Sequence, residues 1–311
     1  MPVKLTINMY SGRKSPSFTL TDGAARKLMD KQAIGRFKKR TLKTTPFPDV
    51  LGYRGITIEQ GGKKIITDLP DKFYLTHDSI FTVDSVATTD KNGGLDALIF
   101  DNLDKIKDQD DIKKLKGLLE KSIGDYLGKR DLYIKNYLIN FEKILAELNL
   151  TLRVGPCYCA PQPDLDNWNI NLDVGANNCY NYSTNYRTDN FAQPGHASGI
   201  FNTTVSSCNP ASGNSIKAGA IADGLVELPT NNNTCPSRGH LVALVIGPNF
   251  DYHWYRKMPN GKWSHKPGHT PATLLDNSGL PITDPRTADR DGYTEFCTFM
   301  QVIHGHFKIT G

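Results

Sequence analysis

Residues 3–10, Val-Lys-Leu-Thr-Ile-Asn-Met-Tyr, alternate apolar and polar side chains, the period of a half-buried β-strand. Ser11-Gly12-Arg13 turns the chain, and Phe18 to Leu20 predicts a returning strand. Thr21-Asp22 offers side-chain oxygens to the free amides of a helix start, so a helix is expected towards Ile34. Pro46 and Pro48 break the chain before a short strand over Gly55–Glu59, and Gly61-Gly62 marks a hairpin turn into Lys64–Thr67. Strand character returns over Ile80–Val86. From Leu95 to Leu148 apolar residues recur at three- and four-residue spacing: Ile106, Ile112, Leu115, Leu118, Leu119 and Ile123, then Leu132, Tyr133, Tyr137, Leu138, Phe141, Ile144, Leu145 and Leu148. These stripes are packing faces of two or three helices.

Composition shifts near Gly155. The stretch Pro156 to Thr234 is rich in Asn, Pro, Gly, Ser and Tyr, the vocabulary of turns and irregular loops. The expected organisation is therefore an N-terminal α+β recognition module over residues 1–150 and a second module over 151–311, the whole of α+β class. At 311 residues, 38% hydrophobic and 22% charged, the chain has the composition of a globular protein, which excludes a fibrous or wholly disordered one. No window holds the roughly 18 consecutive apolar residues of a membrane span. The opening strand lacks the apolar core of a signal peptide, so a cytoplasmic protein is expected, or one exported by a signal-independent route. The net charge of +5 is carried by the first 150 residues, with a local cluster at Arg36, Lys38, Lys39, Arg40 and Lys43. With no nucleic-acid-binding motif beside it, that cluster reads as a solvated helix end and loop.

All six cysteines lie in the second half, at 157, 159, 179, 208, 235 and 297. Cys157-Tyr158-Cys159 is not a zinc or thioredoxin-type spacing, and no metal-ligand set or cofactor motif emerges. Cys208 and Cys235 sit in Asn/Ser-rich loops and would pair in an oxidising compartment. Carboxylates in Asp276-Asn277-Ser278-Gly279 and over Asp284–Gly292 follow turn chemistry rather than a calcium-loop pattern. Asn178-Cys179 follows a loop and opens a short segment, Tyr-Asn-Tyr-Ser-Thr-Asn-Tyr, whose residues are indifferent helix formers; tertiary packing must hold any helix there. A thiol at a helix N-terminus feels the positive end of the dipole, which favours the nucleophilic thiolate. Downstream, Ala218–Leu228 reads as a turn feeding a short strand. The apolar run after Arg238-Gly239-His240, ending at Gly247, reads as a buried central strand with a histidine at its mouth. His253 sits in an alternating adjacent strand across the Pro248-Asn249 turn. A hairpin there would bring the two histidines to one end of the sheet, the geometry of a thiol–imidazole–imidazole relay.

The pieces Asn178-Cys179, Asp223-Gly224-Leu225-Val226, Gly239-His240-Leu241-Val242 and His253 resemble, in order, the NlpC and CHAP groups of papain-like cysteine hydrolases. The resemblance spans residues 175–256. It departs from the family in the polar aromatics after Cys179 and in the Asp-Gly order at 223–224. It implies an antiparallel sheet with a nucleophile-bearing helix, with Cys179 as nucleophile, His240 as base and His253 as orienting residue. His265 competes with either histidine, and Tyr180 or Tyr182 serves as a helper. The implied activity is hydrolysis of an amide in a peptidoglycan stem peptide or another peptide-like substrate, without cofactor or metal. The implied partners are a cell-wall or peptide-like substrate or a target protein, with no nucleic acid. Residues 175–295 also resemble bacterial two-module proteins carrying His-Trp-Tyr-Arg and Trp-Ser-His-Lys-Pro-Gly, a resemblance that implies no activity. Two alternatives remain open. One is a non-catalytic binding or toxin-type module using Tyr180, Tyr182, Tyr186, Trp254, Tyr255 and Trp263 as an exposed recognition surface. The other is an effector that deamidates glutamine or transfers acyl groups with the same thiol chemistry. Substrate and oligomeric state are not written in the sequence.

Overall fold

The computed structural model describes residues 3–21, 50–61, 69–76, 79–82, 85–88, 127–140, 155–169 and 175–311, with isolated positions at 23, 25, 38, 39, 117, 121, 124, 125, 143, 144 and 146. The chain is α+β, with two antiparallel sheets and a few helices. It divides into two compact units. The first comprises Met1–Met9, Ser15–Pro48 and Gly52–Gly128; the second comprises Tyr10–Lys14, Asp49–Leu51 and Lys129–Gly311.

The first unit holds a seven-stranded sheet of β1 (Val3–Ile7), β2 (Ser17–Leu20), β3 (Lys38–Lys39), β4 (Ile56–Gln60), β5 (Lys72–Leu75), β6 (Ser79–Phe81) and β7 (Ser85–Thr88). Its spatial order is β2-β1-β4-β5-β6-β7-β3. Leu5, Ile7, Ile56, Ile58, Phe73, Leu75 and Ile80 are buried. Gly55 enters β4 at φ +95° with its α-carbon against the Leu75 carbonyl, a place no side chain fits. The single strand expected over Ile80–Val86 is instead two short strands paired antiparallel, with Thr82 and Ser85 hydrogen-bonded to each other. Lys38 and Lys39 of the basic cluster form an edge strand rather than a helix end. The hairpin expected over 61–67 and most of the helices expected over 21–34 and 95–126 lie outside the described residues, while residues 127–140 are helical.

The second unit holds a five-stranded sheet, β11-β10-β9-β12-β8, antiparallel throughout. Its strands are β8 (Val226–Leu228), β9 (His240–Gly247), β10 (Asp251–Lys257), β11 (Trp263–His265) and β12 (Glu295–Val302). β9 is the buried central strand expected from its unbroken apolar run, and both faces are covered. Val242, Leu244 and Ile246 pack with Cys179, Tyr180, Tyr252 and Trp254. Leu241, Ala243 and Val245 pack with Tyr255, Trp263, Tyr293 and Phe299 on the other side.

The segment read as a turn before β8 is a helix, Ile216–Ala222, capped by the Ser215 side chain, which accepts from the Ala218 amide. Gly219 permits it: its α-carbon packs against the Pro194 carbonyl, where a β-carbon would come within 2.6 Å. Two disulfides staple this unit, Cys157–Cys235 and Cys208–Cys297, so the pairing of Cys208 with Cys235 is corrected. A register shift in β12 between Phe296 and Thr298 leaves Cys297 as the extra residue of a bulge, joined there to Cys208. The bonds span 78 and 89 residues. Bridges of this kind contribute on the order of 2–4 kcal/mol each, chiefly by restricting the unfolded chain.

Candidate functional site

The Cys179–Thr184 helix is built by polar side chains rather than by propensity. All six of its residues are buried. Asn178 is the N-cap: its oxygen accepts from the Tyr180 and Asn181 amides, and the Asn181 side chain returns a bond to the Asn178 amide. The Asn178 side-chain Nδ2 donates to the carbonyls of Gly12 and Ala192. One side chain thus satisfies two helix amides and two loop carbonyls. Asn178→Ala is expected to lower the unfolding free energy by about 2–3 kcal/mol, above a usual cap, since the loss strands buried partners as well. A urea unfolding midpoint within error of wild type would refute this.

Cys179 therefore sits at the helix start that the sequence indicates, but it is sealed, with 0% exposure. Burial pushes its thiol well above the ordinary range and the Asp251 carboxylate adds to that, while the Trp254 amide pulls the other way. Its electrostatic neighbours are thus the β10 backbone, Asp251 and Lys266, and among the described residues no imidazole is hydrogen-bonded to the sulfur.

His240 lies on the same sheet face as Cys179 but meets the opposite end of the helix. Its Nε2 is 2.7 Å from the Ser183 carbonyl oxygen. A carbonyl only accepts, so Nε2 carries the proton and Nδ1 is left bare, without a hydrogen-bond partner. Burial holds this imidazole down at about 3, against the bond to Ser183.

His253 is placed by the register of the hairpin. It pairs with Val245, five residues beyond His240, about 17 Å along the strand. Cross-strand partners share a face, so His253 lies with Val245, while His240 lies with Val242 and Leu244 on the other. The expectation that both histidines gather at one end of the sheet is thus overturned by strand pairing. His253 Nε2 instead lies 2.9 Å from His265 Nδ1, and His265 Nε2 lies 2.9 Å from the Leu275 carbonyl. The pair is buried among Tyr255 and Tyr293. Cys179, His240 and His253 are therefore three separate packing sites and form no hydrogen-bonded relay.

The aromatic surface is corrected as well. Tyr180, Tyr182, Trp254, Tyr255 and Trp263 are core residues, and of the six only Tyr186 is exposed, at 55%. The Tyr180 hydroxyl donates to Asp223, which also accepts from the Gly195 amide and the Ser198 hydroxyl. Asp223, matched to a family motif by sequence, thus ties two loops to the helix.

Three buried charges escaped the sequence reading. The Asp251 carboxylate accepts from the amides of Ser11, Gly12 and Arg13 and from the Tyr293 hydroxyl, and burial raises its pKa against those donors. Arg256 Nη1 donates to the Tyr182 carbonyl and the Asn185 side chain, Nη2 to the Gln162 and Pro163 carbonyls, and the guanidinium lies 3.9 Å over the Tyr182 ring. Lys266 Nζ donates to the carbonyls of Asn177, Gly268 and Thr270. Their motifs, His-Trp-Tyr-Arg and Trp-Ser-His-Lys-Pro-Gly, are thereby explained as the polar skeleton that positions the Cys179 helix. The only available signal was a cation placed next to a β-strand aromatic, which surface strands share.

The carboxylates of 276–291 bind turn amides: Asp276 accepts from Ser278, Leu280 and Asp289. Among the described residues no group of three or more His, Cys, Asp or Glu side chains is placed to hold a metal. No helix among them is long and apolar enough to cross a membrane.

Described residues line two concavities that bear on function. An open cleft of about 640 Å³ is lined by Arg13, Lys14, Gln193, His196, Phe201 and Tyr252, among others. A tight crevice is lined by Cys157, Cys159, Cys235, His240, Leu241 and Lys257, among others.

No family model and no solved structure matches the chain. Insoluble matrix shell protein 1 of Ruditapes philippinarum is 44% identical over 147 residues, which are 46% of this chain and 91% of that protein. At that identity and coverage, the chain belongs to the family of insoluble matrix shell protein 1.

Proposed function

We propose that the protein is a non-catalytic structural component of an insoluble extracellular matrix. The kinship to a shell matrix protein carries this reading. Two further features support it. Four of the six cysteines are paired, which suits an oxidising compartment outside the cell rather than the cytoplasm. The sealing of Cys179 and the distribution of the histidines favour a packing role over amide hydrolysis.

The contact surface in this reading is the open cleft, whose Arg13 and Lys14 complement an acidic matrix polymer. The test mixes full-length oxidised protein, its free thiols blocked, with washed demineralised shell matrix. Retention in the pellet is expected, with salt-sensitive weakening in Lys14→Glu. Recovery in the supernatant, as for an unrelated soluble protein, would overturn the proposal.

A further inference from the structure

We propose that Cys157, Cys159 and Cys235 form a thiol–disulfide exchange site whose substrates are cysteines of neighbouring matrix proteins. Only the identity of those partners rests on the matrix reading.

Two cysteines are free, and they differ in kind: Cys179 is sealed, whereas Cys159 is partly exposed. The Cys159 thiol donates to the Ser237 carbonyl at 3.5 Å, on the loop that carries Cys235. It lines one crevice with both residues of the Cys157–Cys235 bond. A thiol beside a disulfide is the minimal apparatus for exchange. Lys257 lines the same crevice, its Nζ held by the Asn233 backbone and side-chain oxygens.

The internal step is redox-neutral. Cys159 gives its proton to water, and its Sγ attacks Cys235 Sγ. The Cys159–Cys235 bond forms, the Cys157–Cys235 bond breaks, and the electron pair leaves on Cys157 Sγ, which takes up a proton. Cys235 is the reachable centre, being partly exposed while Cys157 is buried. The thiolate of a neighbouring protein attacks the same atom, forming a mixed disulfide with Cys235 and releasing Cys157 or Cys159 as a thiol. One thiol and one disulfide enter and leave each step, so no oxidant is consumed. The Cys208–Cys297 bond has no free thiol assigned to it and takes no part.

The test holds the full-length protein without reductant at mildly alkaline pH, quenches in acid, blocks thiols with N-ethylmaleimide and maps linkages by mass spectrometry. Two species are expected: Cys157–Cys235 with the label on Cys159, and Cys159–Cys235 with the label on Cys157. Exchange should be quenched by acid, because the attacking form in thiol–disulfide exchange is the thiolate. Added reduced glutathione should appear on Cys235. A single linkage, with label on Cys159 alone at every time and pH, would overturn the proposal. Retention on matrix, measured with thiols blocked, would stand apart from that result.

Discussion

Arg256→Met is expected to lower the unfolding free energy by about 3–5 kcal/mol, the largest single-residue loss in the second unit. The reason lies in what one guanidinium holds. Its two terminal nitrogens bond three carbonyls and the Asn185 side chain, which together end the Cys179 helix and fasten the 162–163 loop to β10. Methionine fills much of the volume but leaves these buried acceptors without donors, and each costs more to strand than its bond contributes. Arg256→Lys keeps the charge but not the planar fork, so about half the loss is expected. Urea unfolding of both variants measures this. A methionine variant within about 1 kcal/mol of wild type would show that the loop carbonyls find water instead.

Acid is expected to destabilise the fold through His240, with a window set by its two pKa values. Above about pH 6.5 the imidazole is neutral in both states and contributes no pH dependence. Below that, the unfolded chain takes up a proton that the folded one refuses, because burial holds the native imidazole near 3, with the Arg256 and His304 charges acting in the same direction. Stability therefore falls by about 1.4 kcal/mol per pH unit at most, to a total of roughly 5 kcal/mol by pH 3, and is flat below. Carboxylates titrate over the lower part of this range, so the difference between wild type and His240→Gln isolates the contribution. The variant should lose its slope between pH 6.5 and 5. Parallel curves for the two proteins would mean that His240 becomes protonated without unfolding.

The elements legible in the sequence are those whose periodicity or punctuation is strong. The alternation of 3–10 marks β1, the run between Gly239 and Gly247 marks β9, and Asn178 marks the start of the Cys179 helix. That helix also needed tertiary support, as its poor formers imply, and its six buried residues show how fully it is held. The candidate relay failed on arithmetic already present in the sequence. In the hairpin, each β10 residue pairs with its β9 partner across the turn, which puts His253 opposite Val245, and a five-residue offset reverses the face from that of His240. The hairpin does place the two histidines on neighbouring strands, and strand parity then puts them on opposite faces. Aromatic burial was illegible for a different reason. Tyr-Asn-Tyr and Tyr-His-Trp-Tyr look like exposed recognition loops because their polar partners come from distant segments, such as Asp223 on Tyr180 and Ser264 on Tyr182. Disulfide partners were likewise beyond reach, since Cys157 and Cys208 each pair with a cysteine far along the chain.

Thiol accessibility in the native protein is the most direct measurement. Iodoacetamide at neutral pH, followed by peptide mapping, should label Cys159 readily and leave Cys179 unmodified until denaturant is added, because a sealed sulfur with a raised pKa is neither reachable nor ionised. Rapid labelling of Cys179 in the folded state, ahead of Cys159, would place a primed nucleophile where the packing puts a core residue.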